Sequence, residues 1–573
     1  MIHLPPVKRT FLPPDFDIQS KDDLIPYYNK LLSYPTDSVE GLKKLLKDLN
    51  ELEACISQNL AWKYIKMTCN TSDKESEQAY LFFITHIQPE VSKREFEVYS
   101  YLIQSPFIKE LANASTAYAM YLRSIQSSVD LFCEENIELE TQEHALAQEY
   151  ASIMGGIEIN WEGKTMTAQQ VSVFLKDPNR NIREKAYLAI QNARFAHKDP
   201  LNSLFSKLVS IRNQIAHNAG FDHYRDYKFK ALGRFDYSVQ DCLDFHDSIE
   251  KQVVPLKKKL LQERQSLMKL EVLKPWDTSV DVFNRPRLKP FSDSDELIHK
   301  TIEAFSRLDP YFGDCIKTMK AMGHLDLDSR LGKAPGGYNY PLAEVGVPFI
   351  FMNASGLHRD LETMIHEGGH AIHSFLSHSL ELNAFKSTPS EVAELASMAM
   401  ELLSMEVWDT FYSQDDVKRA KIEQLEGIVF TLPWIATVDA FQHWIYSHPN
   451  HTTEEREQAW MDLLKRFDTD CVDYSGQEHF KAASWHAQLH IFEVPFYYIE
   501  YGFAQLAALG IWKYFCSDPK GAIEDYKTAL KLGYTESIPQ IYESAGVHFD
   551  FSNAYIQNLF SFLWDSLSEL KQN

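Results

Sequence analysis

Apolar residues recur at three- and four-residue spacing along most of this chain, and that periodicity restricts the fold more than any other feature. Residues 37–65, "DSVEGLKKLLKDLNELEACISQNLAWKYI", show it plainly, with charges filling the positions between. An α-helix turns about 100° per residue, so this spacing gathers the apolar side chains on one face. The pattern returns over 78–104, 138–153 and 239–271, and Ser38, two residues before Glu40, suits a helix cap. Strand signals are few. "IEINWEGKTMT" (157–167) alternates about Glu162-Gly163 and predicts a hairpin. "VPFIFMN" (347–353) follows the Gly- and Pro-rich "GKAPGGYNYPLAEVG" and predicts one strand, at a sheet edge. The expected fold is mainly α with a small sheet near position 350.

No linker, low-complexity run or fixed-period repeat divides the 573 residues, so one two-lobed body is expected rather than beads on a string. Lys plus Arg is 57 against 80 Asp plus Glu, a balance of −23, which argues against nucleic acid or an anionic membrane as main partner. Seven scattered cysteines with no CxxC make neither a disulfide framework nor a cysteine metal motif, and they suit a reducing compartment. The opening "MIHLPPVKRTFLPPDF" lacks the apolar core of a secretory signal, so a cytoplasmic protein is expected. Residues 491–515 have the length of a membrane span, but Glu493, Glu500 and Gln505 interrupt them; a buried helix with functional polar residues is expected instead.

The chemistry concentrates in "IHEGGHAIHSF" (365–375). His366 and His370 are four apart, which on a helix puts both imidazoles on one face, within reach of one ion. Glu367 points about 100° away, where a carboxylate can hold a water beside the ion without ligating it. Zinc bound by two His and a carboxylate keeps a position open for water and lowers the pKa of that water to about 7. Gly368 and Gly369 each cost roughly 1 kcal/mol against Ala in a helix. Either a neighbouring helix packs against them or something else must approach that backbone closely. The longer HExxHxxGxxH pattern is absent, since 373 is His and 376 is Leu, so the third ligand comes from elsewhere. In "STPSEVAELASMAMELL" (387–403), Thr388 or Ser390 could cap a helix whose one face carries Glu391, Glu394, Met398, Glu401 and Met405. Helix geometry does not choose the ligand, because Glu394 and Glu401 point nearly the same way, about 10 Å apart along the axis.

"PFIFMNASGLHRDLETMIHEGGHAIHSFL" followed by "EVAELAS" resembles the oligoendopeptidase F and thimet oligopeptidase family of zinc metallopeptidases, most closely its bacterial oligoendopeptidase F and Pz-peptidase branch. That family pairs HExxH with a Glu in an "AE-(I/L)-AS"-like segment, so the resemblance selects Glu394 as the third ligand. "WEGKTMTAQQVSVFLKDPNRNIREKAY" resembles an N-terminal family segment, with Arg180 and Arg183 in matching places. "IRNQIAHNAGFDHYRDY" and "HIFEVPFYYIEYGFAQ" resemble two others. The likeness covers roughly 155–550, and residues 1–150 match only as a generic helical lobe. Gly368 stands where the family usually has a bulky residue, and "GVHF" (546–549) replaces a more usual "G-Ile-Asp"; neither departure touches a ligand.

The resemblance implies a two-lobed helical metallopeptidase, with an N-terminal lobe over 1–190, a catalytic lobe over 191–573, and a small sheet beside the active-site helix. It implies one Zn2+ per chain on His366, His370 and Glu394, with Glu367 as general base. His490 and Tyr501, with Tyr498 as a further candidate, fall where the family keeps donors to the oxyanion. The second His pair, "HAQLH" (486–490), lacks an adjacent Glu and is a poor zinc site. His373 is expected to pack in the core or behind the ligands, because a fourth protein ligand would close the catalytic position. Asp360 suits either a carboxylate behind the ligands or a helix N-terminal charge. A peptide could add to the edge of strand 348–353 through main-chain hydrogen bonds, with Gly336 and Gly337 letting the loop bend over it. The two motif glycines would then lie where helix and substrate channel meet. The expected activity is cleavage of internal bonds in short unstructured peptides. A metallocarboxypeptidase and a non-catalytic helical peptide-binding protein with a remnant metal site are the alternatives.

Overall fold

The computed structural model describes residues 1–2 and 8–572. It is 69% helical with only small sheets. The helix Val39–Cys69 illustrates why: Ser38 accepts a hydrogen bond from the Gly41 amide, and Leu42, Leu45, Leu46, Leu49 and Leu52 fall on its buried face. Among the described residues no helix is long and apolar enough to cross a membrane.

The chain forms two compact units, each assembled from separated segments. The first comprises Met1–Asp130, Arg287–Lys421 and Phe503–Phe549; the second comprises Leu131–Pro286, Ile422–Gly502 and Asp550–Asn573. A single division at residue 190 does not coincide with these units. Residues 131–190 belong to the second, and 287–421 with 503–549 to the first, because packing partners are chosen by apolar faces and not by neighbourhood along the chain.

In the first unit a three-stranded sheet stands beside the HExxH helix, His358–Ser377. The strand Phe349–Ala354 is its centre, parallel to Leu325–Asp328 and antiparallel to Tyr338–Tyr340. The expectation of an edge strand is thus corrected. Phe349 to Met352 are all buried, as in a strand covered on both faces. The outer strand is Tyr338–Tyr340, inside the glycine-rich segment. Gly336, at φ +98°, supplies the left-handed turn that leads into it. Asp360 accepts hydrogen bonds from the Ser355 and Leu357 amides at the start of the HExxH helix, so it is an N-terminal cap. The helix Ser390–Ser404 has Pro389 at its N-cap, and neither Thr388 nor Ser390 caps it.

The motif glycines serve helix packing. A Cβ on Gly369 would stand 2.6 Å from Ser397 Cα and 2.7 Å from the Ala396 carbonyl oxygen, on the facing helix. A Cβ on Gly368 would stand 2.7 Å from the Phe305 ring. The placement of these glycines at a substrate channel is therefore corrected: neighbouring helices fill the space they leave. The ring of Phe305 lies against the position where a bulkier residue was expected.

In the second unit, Glu158–Trp161 and Lys164–Thr167 form the expected hairpin. Glu162 and Gly163, at φ +52° and +83°, make its two-residue turn. Arg180 and Arg183 both bind the fully buried Asp277, at 2.7 and 2.8 Å, and hold its carboxyl below the usual range against the opposing effect of burial. Residues 491–515 are not one helix. The chain breaks between Leu489–Glu493 and Ile499–Ser517, where Pro495 precedes Phe496 at φ +68°. Glu500 is engaged by Arg234 at 2.9 Å, an ion pair buried on both sides.

Gly369→Ala meets backbone, which cannot move without parting two helices, whereas Gly368→Ala meets the far end of a side chain. The first is expected to cost about 1–3 kcal/mol of stability and the second less, as read by chemical denaturation. Equal costs would show that the backbone contact is not the tighter constraint.

Candidate metal centre

Two turns of one helix and one turn of another bring three donors together. Glu394 Oε2 lies 3.3 Å from His366 Nε2 and 3.7 Å from His370 Nε2. The ligand atoms of all three lie within 4.8 Å of one another. The two imidazole planes stand 84° apart. Ligand atoms about 2.0–2.1 Å from a tetrahedral zinc are separated by about 3.3–3.4 Å, so the donor set fits a zinc ion with little adjustment and leaves one position open. Burial opposes the charge on Glu394, but the two histidines prevail and bring its pKa down to about 2. Burial pushes His370 down to about 4, so it is a neutral lone-pair donor. At His366 burial is outweighed by carboxylates at both ring nitrogens, which hold its proton well above the usual range. A site that retains positive charge at that nitrogen is one suited to a cation.

Glu394 and Glu401, which spacing left as alternatives, occupy different places. Glu401 Oε1 stands 2.7 Å from His366 Nδ1. A proton shared there leaves the Nε2 lone pair aimed at the site, as carboxylates behind metal-binding histidines do. Ser397 Oγ lies 3.2 Å from Glu394 Oε2. Glu367 is outside the converging trio. It is buried, and burial pushes its pKa up to about 7. Its backbone carbonyl accepts a hydrogen bond from Asn339 Nδ2 at 3.2 Å, which ties the outer strand Tyr338–Tyr340 to the HExxH helix. His373 is buried and pushed down to about 3 by burial, and its Nε2 has no hydrogen-bond partner among the described residues. It is a core imidazole outside the trio.

His490, Tyr498 and Tyr501 lie in the second unit and form one group there. Ring centroids of His490 are 4.6 Å from Tyr498 and 6.0 Å from Tyr501, and Tyr497 joins them at 5.4 Å from Tyr501. His486, the other half of "HAQLH", turns instead to Asn202 Oδ1 at 3.2 Å, and burial lowers it to about 3. Between them, Gln488 decides the state of His490. Trp434 Nε1, which can only donate, bonds Gln488 Oε1 at 2.9 Å. The Gln488 amide nitrogen therefore donates to His490 Nδ1, at 2.8 Å, and the imidazole carries its proton on Nε2. Sequence reasoning missed Gln488, Trp434 and Tyr497. Gln488 lay inside the quoted "HAQLH", but only the fold brings Trp434 to it.

Residues 173–560 match the model of peptidase family M3, and residues 17–132 match the M3 N-terminal domain. An oligoendopeptidase F homolog of Borreliella burgdorferi is 22% identical over 427 residues, spanning 71% of this chain and 68% of the relative. The oligopeptidase PepF of Bacillus subtilis is 22% identical over 65% of this chain and 55% of its own length. Among solved structures, a Pz peptidase A with an inhibitor superposes with a TM-score of 0.90 at 26% identity, covering 98% of this chain and 99% of that one.

Replacing Glu401 by Ala is expected to weaken zinc binding about 10–100-fold, while Glu394→Ala loses tight binding altogether. Competition against a chelator of known affinity measures both. Equal losses would mean that the two carboxylates share one role.

Proposed function

Because the chain belongs to peptidase family M3 and is thus a metallo-oligopeptidase, we propose that it is a zinc-dependent endopeptidase acting on short unstructured peptides. The observation that carries this reading is the convergence of His366, His370 and Glu394 in the turns around a buried Glu367. A zinc ion held by those three side chains, one catalytic ion per chain, would polarise the scissile carbonyl and acidify a water.

The remaining work falls to the protein's own groups. Glu367, with a pKa near 7 from burial, takes a proton from the attacking water on its carboxylate and delivers it to the leaving amine. His490, protonated at Nε2 by the Gln488 arrangement, and the Tyr501 hydroxyl donate hydrogen bonds to the oxyanion as it forms; Tyr498 is a further donor. The substrate backbone extends along the outer strand Tyr338–Tyr340, the last strand of its sheet. Main-chain pairing there reads no particular side chain. A cytoplasmic setting agrees with seven cysteines that form no disulfide.

Glu367→Gln is expected to keep its zinc and lose about 10²–10⁴ in kcat; undiminished turnover would remove Glu367 as the base. A peptide blocked at its C-terminus is expected to be cut internally, and failure to cut it would favour a carboxypeptidase. His490→Phe is expected to lose about 10²–10³ in kcat with KM little changed, and Gln488→Leu a smaller factor of the same kind.

A further inference from the structure

A second set of metal-competent side chains lies in the second unit, apart from the HExxH ligands of the first. Cys242 and His246 are one turn apart on the helix Val239–Gln252, and Asp439 and His443 are one turn apart on the helix Gln414–Ser447. A four-residue interval puts each pair on one face of its helix, and the two pairs face each other. His246 Nε2 lies 2.9 Å from Asp439 Oδ2, and His443 Nε2 lies 3.2 Å from the same oxygen. Ligand atoms of Cys242, Asp439 and His443 lie within 4.8 Å of one another. The four residues are at most 6% exposed.

The cluster is poorly satisfied by the protein alone. A carboxylate in a core needs a compensating charge. Burial raises the Asp439 pKa, yet His443 and His246 hold it well below the usual range, so the group is ionised. Among the described residues no lysine or arginine pairs with it; its ion-pair partners are the two histidines. Burial lowers the pKa of His246 and favours its neutral form. Asp439 Oδ1, His246 Nδ1 and both ring nitrogens of His443 have no hydrogen-bond partner among the described residues. His443 Nε2 is thus within 3.2 Å of a carboxylate oxygen without being aligned to bond it. His246 Nε2 and Asp439 Oδ2 bond each other, but the unbonded atoms of Asp439 and His443, crowded against Cys242, are arranged as ligands around a shared centre. Phe229 and Phe496 wall the His443 side and Phe467 the His246 side, leaving apolar surroundings in place of solvating groups.

We propose that Cys242, Asp439 and His443 bind a second zinc ion, with His246 bonded to Asp439 behind it. A Cys/Asp/His set matches zinc in ligand type. Zn2+ with one thiolate, one carboxylate and one neutral imidazole carries no net charge, which suits the apolar surroundings. Binding releases the Cys242 thiol proton to solvent. The ligands come from both helices, so the ion joins Val239–Gln252 to Gln414–Ser447.

Cobalt(II) substitution of the full chain tests the proposal independently of the catalytic reading. The HExxH set contains no sulfur, so a thiolate-to-cobalt charge-transfer band in the near ultraviolet is expected in the wild type. The band is expected to persist in His366→Ala/His370→Ala and to vanish in Cys242→Ser. In parallel, dialysed wild-type protein is expected to retain roughly two zinc ions per chain, and the double variant roughly one. A cobalt-loaded wild type without the band overturns the proposal, as does a band that survives in Cys242→Ser or a folded double variant devoid of zinc. Should Cys242→Ser fail to fold, the wild-type spectrum and the zinc content of the double variant still decide.

Discussion

The convergence of His366, His370 and Glu394 depends on one close backbone approach. Gly369, between the two HExxH histidines, lies against Ala396 and Ser397 with no room for a Cβ. Glu394 precedes that contact by three residues and Glu401 follows it by four. The two carboxylates thereby reach opposite nitrogens of the same imidazole, His366, from two turns of one helix. A separation larger by even one methyl group would draw Glu394 back from both histidines. The contact is reinforced from the segment Phe503–Phe549, whose Tyr526 hydroxyl donates to the Ala396 carbonyl and whose Tyr542 hydroxyl donates to that of Glu391. Hydroxyls on those carbonyls hold the carboxylate helix at two points, so Glu394 is positioned by two buried hydrogen bonds as well as by packing.

Buried charge is a second theme, and three cases are resolved by specific partners. Asp277 takes two arginines, Arg212 takes Glu143 at 2.6 Å, and Arg234 takes Glu500. Removing one member of such a pair leaves an uncompensated charge in the core, which is far more costly than the pair itself. Glu500 was conspicuous in the sequence as a charge within an apolar stretch, and Arg234, more than 260 residues earlier, accounts for it. Asp439 differs: among the described residues its ion-pair partners are histidines, and its Oδ1 has no hydrogen-bond partner.

Much of the fold was legible because it follows from local rules. Helical periodicity, the Ser38 cap and the Glu162-Gly163 turn each depend on a few consecutive residues. Expectations that needed a distant partner fared differently. Strand 349–354 became central because 325–328 and 338–340 pair with it from either side. The stretch 491–515 is broken at Pro495-Phe496, a local signal outweighed by its overall apolar character. The units recruit separated segments, which no linear division expresses.

The sequence by itself determined a helical chain, a His pair on one helix face with a carboxylate beside it, and a second helix bearing acidic residues on one stripe. These follow from the 3.6-residue period, which relates residues only within one helix. It left open which glutamate meets the histidines, what the glycines accommodate, and how Trp434 and Gln488 set the proton of His490. Those are relations between helices, decided by packing distances and hydrogen-bond directions that exist only once the chain is folded. The Cys242/His246 and Asp439/His443 pairs make the same point. Each is an unremarked i, i+4 pair until tertiary structure sets one against the other.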